Sequence, residues 1–325
     1  MKRILTLLAL AATSCSLHTA AEPELPMPDT RKGVTVRVSG PSSRATDVRD
    51  ENETAIHSLQ VLVFDSDGLL DAAGCGDGTS VSVTVTVGKA KRLWAVANAP
   101  KLTGISWEED LRGSLSHLCD NSLTSLVMVG NTTADISEDG EIGITLTRLA
   151  AKLSVKKITR SFDAPALAAR PLTIKKMYLI NVAADIRCDG TGEVSSWLNR
   201  SGFESSGADA LLSEQGLSIS LADGACHSTP HSFYCYPNPT STDSVSDSWT
   251  PRKTRLVLEA ELGGSTCYYS LTFPEIKRNC TYTIGNLTLS GKGSPTPDTP
   301  YTRESISASV TVRDWTDGAT YTEKL

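Results

Sequence analysis

The sequence predicts an all-β protein with a few short helices, built as two β-sandwich domains. Three observations support this prediction. Aromatic residues make up only 6% of the 325 residues, short runs of alternating apolar and polar residues recur along the chain, and turn-forming residues separate these runs. The length suits two medium domains. We expect an N-terminal domain over residues 33–150 and a C-terminal domain over residues 151–325.

The first fifteen residues predict export. Two basic residues precede an apolar run from Ile4 to Ala12, which is shorter than the roughly 20 residues that cross a bilayer. The run ends in Thr-Ser-Cys, which resembles the bacterial lipobox and implies that Cys15 is lipidated. An ordinary signal peptide with a chance cysteine is the alternative. We expect a lipoprotein signal over residues 1–15 and a flexible tether, rich in Pro, Glu and Ala, over residues 16–32.

Charge and cysteine content narrow the classes of function. The net charge is −6 and no long basic run occurs, so a nucleic-acid partner is not expected. Eight cysteines leave seven beyond Cys15, an odd number, and none of them forms a CxxC pair that would favour zinc. A bridge between Cys267 and Cys280 across a hairpin is one open possibility.

A well-patterned strand opens the first domain. Gly33 to Gly40 alternates apolar and polar residues, which predicts a strand with one apolar face. That face consists of Val34, Val36 and Val38. The polar segment that follows contains Arg44 and Arg49, and we expect it to be exposed and open to proteases.

Three further runs in this half predict an antiparallel meander. They are Ser58–Asp65, Thr79–Ala90 and Arg92–Pro100, with turn residues between them. Asp65, Asp67 and Asp71 surround the first turn, but the bidentate glutamate of a calcium loop is missing, so we expect a solvated turn without a metal.

A short helix is predicted over Ser106–Cys119. Leu111, Leu115 and Leu118 have helical spacing there and follow a serine cap. Glu108 and Glu109 lie at the start of this helix, where the helix dipole accounts for them.

The second half contains seven short alternating runs, which indicate a second β-sandwich. The runs are LTIKKMYLINV, GLSISLAD, SFYCYPN, TRLVLEAEL, TCYYSLTF, TYTIGNLTLSGKG and ISASVTVRDW. The polar stretch from Gly192 to Asp209 predicts a long surface excursion.

No enzymatic motif occurs in the sequence. A nucleophile elbow, a zinc-protease helix, a P-loop and a dinucleotide-binding glycine pattern are all missing. His227 and His231 flank Pro230, which prevents a shared helix, so we interpret them as loop histidines rather than metal ligands. We therefore predict no enzyme activity, no catalytic residue, no cofactor and no metal.

The order of motifs along the chain resembles one family, the fimbrillins of Bacteroidales, which are subunits of type V pili secreted as lipoproteins. The matching pieces include the lipobox, SLQVLVFDSDG, WAVANAP, LVMVGN, LTRLAAKLSVKKI, YCYPN, TRLVLEAEL and VTVRDW. The resemblance implies two transthyretin-like β-sandwich domains. It also implies that an arginine-specific protease removes the first strand, residues 33–44, together with the lipid.

Carried onto this sequence, the resemblance implies a cut between Arg44 and Ala45, with Arg49 as the less favoured site. It further implies that a C-terminal donor strand, about residues 303–325, fills the vacated groove of a neighbouring subunit. The donor face would be Ile306, Ala308, Val310 and Val312. The alternative from the residues alone is that Ile306–Trp315 closes its own C-terminal sandwich.

These expectations give a leading function and two alternatives. The leading function is a structural or adhesive subunit of a surface fimbria. Its implied partners are other fimbrial subunits, an arginine-specific protease and, for the precursor, the outer membrane. The alternatives are a pilus anchor that does not polymerise, and a monomeric surface lipoprotein that binds a glycan or host protein. In the latter, the stacking surfaces would be Trp197, Phe203, Tyr234 and Trp249.

Overall fold

The computed structural model describes residues 30–41, 51–243, 248–273, 275–299, 306–314 and 320–324. Residues from Arg31 onward form one compact unit. Within the described ranges, no helix has the length and apolar character needed to cross a membrane.

Within residues 31–148, the described residues, which leave out 42–50, form nine strands, one short helix and two 3₁₀ turns. The strands are β1 (Arg31–Ser39), β2 (Leu59–Phe64), β3 (Leu70–Gly76), β4 (Ser80–Thr86), β5 (Gly88–Ala97), β6 (Leu115–His117), β7 (Met128–Ile136), β8 (Gly140–Thr145) and β9 (Thr147–Arg148). The helix α1 is Glu108–Gly113, and the 3₁₀ turns are Glu51–Thr54 and Leu118–Asp120.

The remaining elements follow from residue 151. The strands are β10 (Ala151–Val155), β11 (Ile158–Arg160), β12 (Leu172–Ile180), β13 (Val182–Ala183), β14 (Asp185–Arg187), β15 (Trp197–Leu198), β16 (Ser213–Glu214), β17 (Ile219–Leu221), β18 (Cys226–His227), β19 (His231–Cys235), β20 (Arg255–Leu262), β21 (Ser265–Thr272), β22 (Cys280–Leu289), β23 (Ile306–Asp314) and β24 (Thr320–Lys324). The helices are α2 (Pro165–Ala168) and α3 (Asp209–Leu212).

Two sheets form the first half. One has the strand order β4-β1-β8 and the other the order β3-β2-β5-β7-β9. The valines of β1 and β4 pack in one cluster with buried residues of β2 and β5, such as Val61 and Leu93. Alternation along β4 buries every second residue, which is the pattern of a sheet with one face on a core.

Two larger sheets form the second half. Strand β22 pairs in parallel with β10 and β11 on one side and antiparallel with β23 on the other. Strand β12 pairs with β16, β17 and β20, and β20 pairs with β21. A small antiparallel pair of β6 and β14 joins residues from the two halves of the chain.

The predicted meander is wrong. The run Thr79–Ala90 divides into β4, which joins the sheet of β1, and the start of β5, which pairs with β2. An additional strand, β3, fills the place beside β2. Its sequence lacks alternation because Gly74 lies against β4, where an added Cβ would be 2.9 Å from a methyl carbon of Val81.

The predicted helix is shorter than expected. It ends at Gly113, because Leu115–His117 instead forms β6 and pairs with β14. Leu111 and Leu118 are buried, whereas Leu115 is exposed. Long-range strand pairing therefore overrides the helical spacing of the three leucines.

Two smaller expectations also need correction. Cys267 is a free, buried thiol on β21, whereas Cys280 begins β22 in the other sheet, so the two do not face each other across a hairpin. The turn near Asp65 is not merely solvated, because the fully buried Lys91 ammonium contacts Asp65 Oδ1 at 2.5 Å and Asp71 Oδ2 at 2.7 Å.

Candidate functional site

Strand β1 lies between two neighbours, although it is the first strand of the described chain. It pairs antiparallel with β4, where Val36 faces Val81, and in parallel with β8, where Val36 faces Ile142. The interior strands of a sheet use backbone groups on both sides. Loss of β1 would therefore leave two rows of unpaired N–H and C=O groups, on β4 and on β8.

The inner face of β1 is fully packed. Val34, Val36 and Val38 are buried, with Val36 at 0% exposure, and they belong to the core cluster of the first half. Burial of three valines stabilises the folded chain by about 5 to 9 kcal/mol before ordering costs. The prediction that these residues form one apolar face agrees with their placement.

The outer face of β1 contributes little to holding the strand. Thr35 and Ser82 share a hydrogen bond of 2.9 Å between their hydroxyls. Arg37 Nε lies 2.6 Å from Glu141 Oε2, but both side chains are more than half exposed, so the pair adds little stability. The strand is therefore held by its valines and its backbone pairing.

The chain beyond residues 42–50 is anchored by a buried carboxylate. Glu53 lies in the 3₁₀ turn and is 7% exposed. Its carboxylate accepts a 2.7 Å hydrogen bond from the Tyr234 hydroxyl and forms an ion pair with the Lys152 ammonium. Arg148 Nε donates to the Glu53 carbonyl oxygen at 2.8 Å. Burial lowers the pKa of Arg148 to about 10, and the nearby Glu53 charge opposes this shift.

A second anchor follows a few residues later. The Asn98 amide donates to the carbonyl oxygens of Ala55 and Leu126 at 2.8 and 2.9 Å, and its Oδ1 accepts from the His57 backbone N–H at 2.8 Å. Asn98 has a φ of 61°, a conformation that asparagine tolerates. Sequence reasoning missed both anchors, since neither Glu53 nor Asn98 belongs to a recognisable motif.

The C-terminal strand β23 is paired within its own chain. Val310 faces Ile284 of β22, and β24 covers the other side of β23. Ile306 and Val310 are 1% and 2% exposed, and Ala308 and Val312 pack against the same core. The four expected donor residues thus share one face, and in this structure that face closes the C-terminal sheet.

The aromatic residues proposed as stacking surfaces are engaged in packing. Trp197 and Trp249 have ring centroids 5.6 Å apart, and Phe203 meets Tyr178 edge to face at 5.6 Å. Tyr234 is buried and bonded to Glu53, as described above. The expectation of an exposed stacking surface is wrong for Tyr234, whereas Trp197, Phe203 and Trp249 are half-buried.

The two histidines are not isolated loop residues. They lie on β18 and β19, with 3.1 Å between His227 Nε2 and His231 Nε2, and His231 Nδ1 lies 2.7 Å from Glu214 Oε2. Desolvation, followed by the charge of His231, lowers the pKa of His227. Among the described residues no group of three or more His, Cys, Asp or Glu side chains is arranged to hold a metal ion.

Glu108 has a larger role than the helix dipole suggests. Its carboxylate is buried and accepts from Trp94 Nε1 at 3.0 Å and from Arg112 Nη2 at 2.9 Å, while Arg92 Nε is 2.8 Å away. This arrangement fixes α1 against β5. The exposed Glu109 has no such arrangement.

Several predicted site residues lie outside the described residues. They are Cys15, Arg44, Ala45 and Arg49, together with Trp315 at the end of the C-terminal run.

The part of the chain that matches a known protein family starts within β1 and ends with β9. Residues 34–148 match the family of the major fimbrial subunit protein (FimA). Over 301 residues the chain is 26% identical to the putative fimbrium tip subunit Fim1C of Parabacteroides distasonis, an alignment that covers 81% of this chain and 75% of that protein. The chain is similar to the fimbrillins.

Solved structures carry the same fold. A fimbrilin (FimA) from Porphyromonas gingivalis W83 matches 90% of this chain and 99% of its own with a TM-score of 0.64 at 17% identity. A putative cell adhesion protein from Bacteroides eggerthii matches 92% of this chain and 98% of its own with a TM-score of 0.66 at 18% identity. The predicted resemblance to the fimbrillins and the predicted all-β fold are confirmed.

Proposed function

We propose that the chain is a subunit of a type V pilus that is secreted as a lipoprotein precursor and polymerises by strand exchange. In this proposal Cys15 carries the lipid, and an arginine-specific protease cuts between Arg44 and Ala45, with Arg49 as the second choice. The cut releases β1 together with the lipid. The single observation that carries the proposal is the position of β1 between β4 and β8.

The surroundings of β1 support its replacement by another strand. Its departure would open a groove with three valine-sized positions and two strand edges, which is a template for an incoming strand. The anchors at Glu53 and Asn98 hold the chain that follows the cut. The remaining domain would therefore keep its shape while the groove stands open.

The strand β23 is the proposed donor. Its inward residues are spaced by two, as are the valines of β1, so it can fill the same positions. The donor face is Ile306, Ala308, Val310 and Val312. Relative to an exposed strand, burial of these side chains in a neighbour gives a gross gain of about 10 kcal/mol before ordering costs, which offsets the burial that they give up in their own sheet. For β23 to leave, its pairing with β22 must break and its inward side chains must leave their own core. Because β1 uses both edges between β4 and β8, β23 must also give up its pairing with β24 to take the same place.

A second candidate follows from the pairing of β23 within its own chain. A subunit that keeps β23 in its own sheet accepts a donor strand but gives none, so it occupies one end of a fimbria. The near-complete burial of Ile306 and Val310 favours this role. The two candidates differ in one outcome, which is whether the cleaved protein polymerises with itself.

The test uses the full chain with Cys15→Ser, treated with an arginine-specific protease. We expect a new N-terminus at Ala45, release of β1 and filaments in electron micrographs. Cleavage without filaments, together with incorporation at the ends of filaments made by another subunit, would establish the terminal role. A chain that resists the protease, or that retains β1 after the cut and binds no other subunit, would contradict both candidates.

Two matched variants locate the cut. Arg44→Ala should prevent cleavage and assembly, whereas Arg49→Ala should leave both unchanged. Assembly of the Arg44→Ala protein after a cut at Arg49 would move the processing site to the second arginine.

A further inference from the structure

Trp107 is the most exposed large hydrophobic side chain among the described residues, at 49%. The other three tryptophans with described surroundings, Trp94, Trp197 and Trp249, are buried or half-buried. Leu69, also exposed, is joined to Trp107 by a β-bridge. An indole and a leucine therefore form a small apolar platform at the surface, remote in sequence from β1 and β23.

The backbone of Trp107 is held from several directions. The Trp107 N–H donates to Asp110 Oδ2 at 2.8 Å, the next residue donates to the Gly68 carbonyl oxygen at 2.8 Å, and the Leu70 N–H donates to the Ser106 carbonyl oxygen at 2.9 Å. Gly68, with a φ of 98°, lets the turn before β3 come close to α1. The backbone that carries the indole is thus fixed before any ligand arrives, which lowers the entropic cost of binding.

A cavity of about 340 Å³ opens beside the indole, within the size range of small-ligand sites. Three carboxylates line it, those of Asp67, Glu108 and Glu109, and two guanidiniums, those of Arg92 and Arg112. Its formal charge is therefore −1, with fixed groups of both signs next to one another.

The charged groups of this cavity are held in place by their own contacts. Glu108 bonds Trp94 and Arg112, the Arg112 guanidinium lies 5.2 Å from the centroid of the Trp94 ring, and Arg92 Nη2 donates to the Ser66 carbonyl oxygen at 3.2 Å. A guanidinium has five N–H donors. The contacts of Arg112 with Glu108 use its Nε–H and one Nη2–H, which leaves three donors.

We propose that Trp107 and this cavity bind a neutral glycan. A sugar ring presents one face of C–H groups, which suits the indole, and hydroxyls that both donate and accept, which suit carboxylates and guanidiniums set side by side. An anionic ligand would meet Asp67 and Glu109, and a cationic one would meet Arg92 and Arg112. The mixed charge therefore selects a ligand that is polar but uncharged.

The proposal is independent of polymerisation, since it needs neither the proposed cut nor strand exchange. It locates adhesion at the edge formed by the β2–β3 turn and α1, and not on the packed aromatic residues of the second half.

The test is titration of the full chain carrying Cys15→Ser with methyl β-galactoside, methyl α-mannoside, N-acetylglucosamine, lactose and N-acetylneuraminic acid. Binding is followed by tryptophan fluorescence and by saturation-transfer NMR. We expect at least one neutral sugar to bind, and Trp107→Ala to weaken it about tenfold or more. Glu109→Gln, at an exposed position on the cavity wall, should weaken binding by a smaller factor.

Leu123→Ala is the matched control, because Leu123 is similarly exposed at 46% but lies on another loop. It should leave binding unchanged, and thermal melts of all variants should agree with the parent. Three results would overturn the proposal: no neutral sugar bound at millimolar concentration, binding of the anionic sugar alone, or a concentration-dependent dimer that Trp107→Ala abolishes, which would assign the platform to a second copy of the chain.

Discussion

Glu53 shows how a single residue fixes the chain next to the proposed cut. Its carboxylate contacts Lys152 and Tyr234, and its carbonyl oxygen accepts from the fully buried Arg148. A carboxylate removed from water to this extent is stable only when it is paired. The 3₁₀ turn is therefore held in place by electrostatics as well as by packing.

Replacement of Glu53 tests this anchor. Glu53→Gln keeps the shape but removes the charge that offsets Lys152 and Arg148, so we expect a loss of about 3 kcal/mol in the free energy of unfolding by urea. Tyr234→Phe, which removes one hydrogen bond to the same carboxylate, should cost about 1 kcal/mol. An unchanged stability of Glu53→Gln would show that the turn is held by other contacts.

His227 gives the fold a pH dependence in the mildly acidic range. Its pKa is held below 6.5 by desolvation and by His231, so the native state favours the neutral imidazole and the unfolded chain binds the proton more readily. The free energy of unfolding is therefore not reduced by His227 above pH 6.5, and it decreases as the pH drops below that value. Urea titrations at pH 7.5 and 5.5 should show this loss, and His227→Gln should reduce it. An equal loss in the variant would assign the effect to other groups.

At the scale of elements, β1 is the strand whose contribution would end with the proposed cleavage. Val36→Ala should lower the stability of the precursor by about 2 kcal/mol, because it leaves a cavity between β4 and β8. The same substitution should have no effect on the cleaved protein after β1 has left. Thr35→Ala, on the outer face of the same strand, is the control and should have only a small effect on the uncleaved chain. Equal destabilisation of the cleaved protein by Val36→Ala would mean that β1 stays in place.

The alternation of Val34, Val36 and Val38 was sufficient to predict β1, since period-two burial needs only local sequence. The same reasoning failed at β3, where Gly74 replaces a side chain so that β4 can approach, and at β6, where pairing with distant β14 decides the structure. The pairing of β1 with β4 and the contact of Glu53 with Tyr234 join residues that are far apart in the sequence, 181 positions in the second case. No local pattern encodes such contacts, so they required the structure.

At the scale of the whole molecule, two strands far apart in the sequence have matching apolar faces. Strand β1 occupies a groove in the first half, and β23 closes a sheet in the second. The central claim is that β23 of one molecule takes the place of β1 in the next. An inserted β23 would pair on both edges, with β4 and with β8, so its release would require both ladders to break together, and the assembled fibre should come apart slowly.

The most direct measurement of this claim is a disulfide between subunits. Ser82 lies on β4 beside Thr35 of β1, and Ser309 lies on the outer face of β23, with Ser307 as the neighbouring position. A chain with Ser82→Cys and Ser309→Cys is prepared with its exposed native cysteines changed to serine, and oxidised before and after arginine-specific cleavage. The exposed native cysteines are Cys75, Cys119 and Cys226.

We expect disulfide-linked multimers only after cleavage, with a peptide that joins residues 82 and 309 of different molecules in mass spectrometry. The variant with Ser307→Cys in place of Ser309→Cys reports the register of the incoming strand. Filaments that contain no link to residue 82 from either position of β23 would contradict the exchange of β1 for β23.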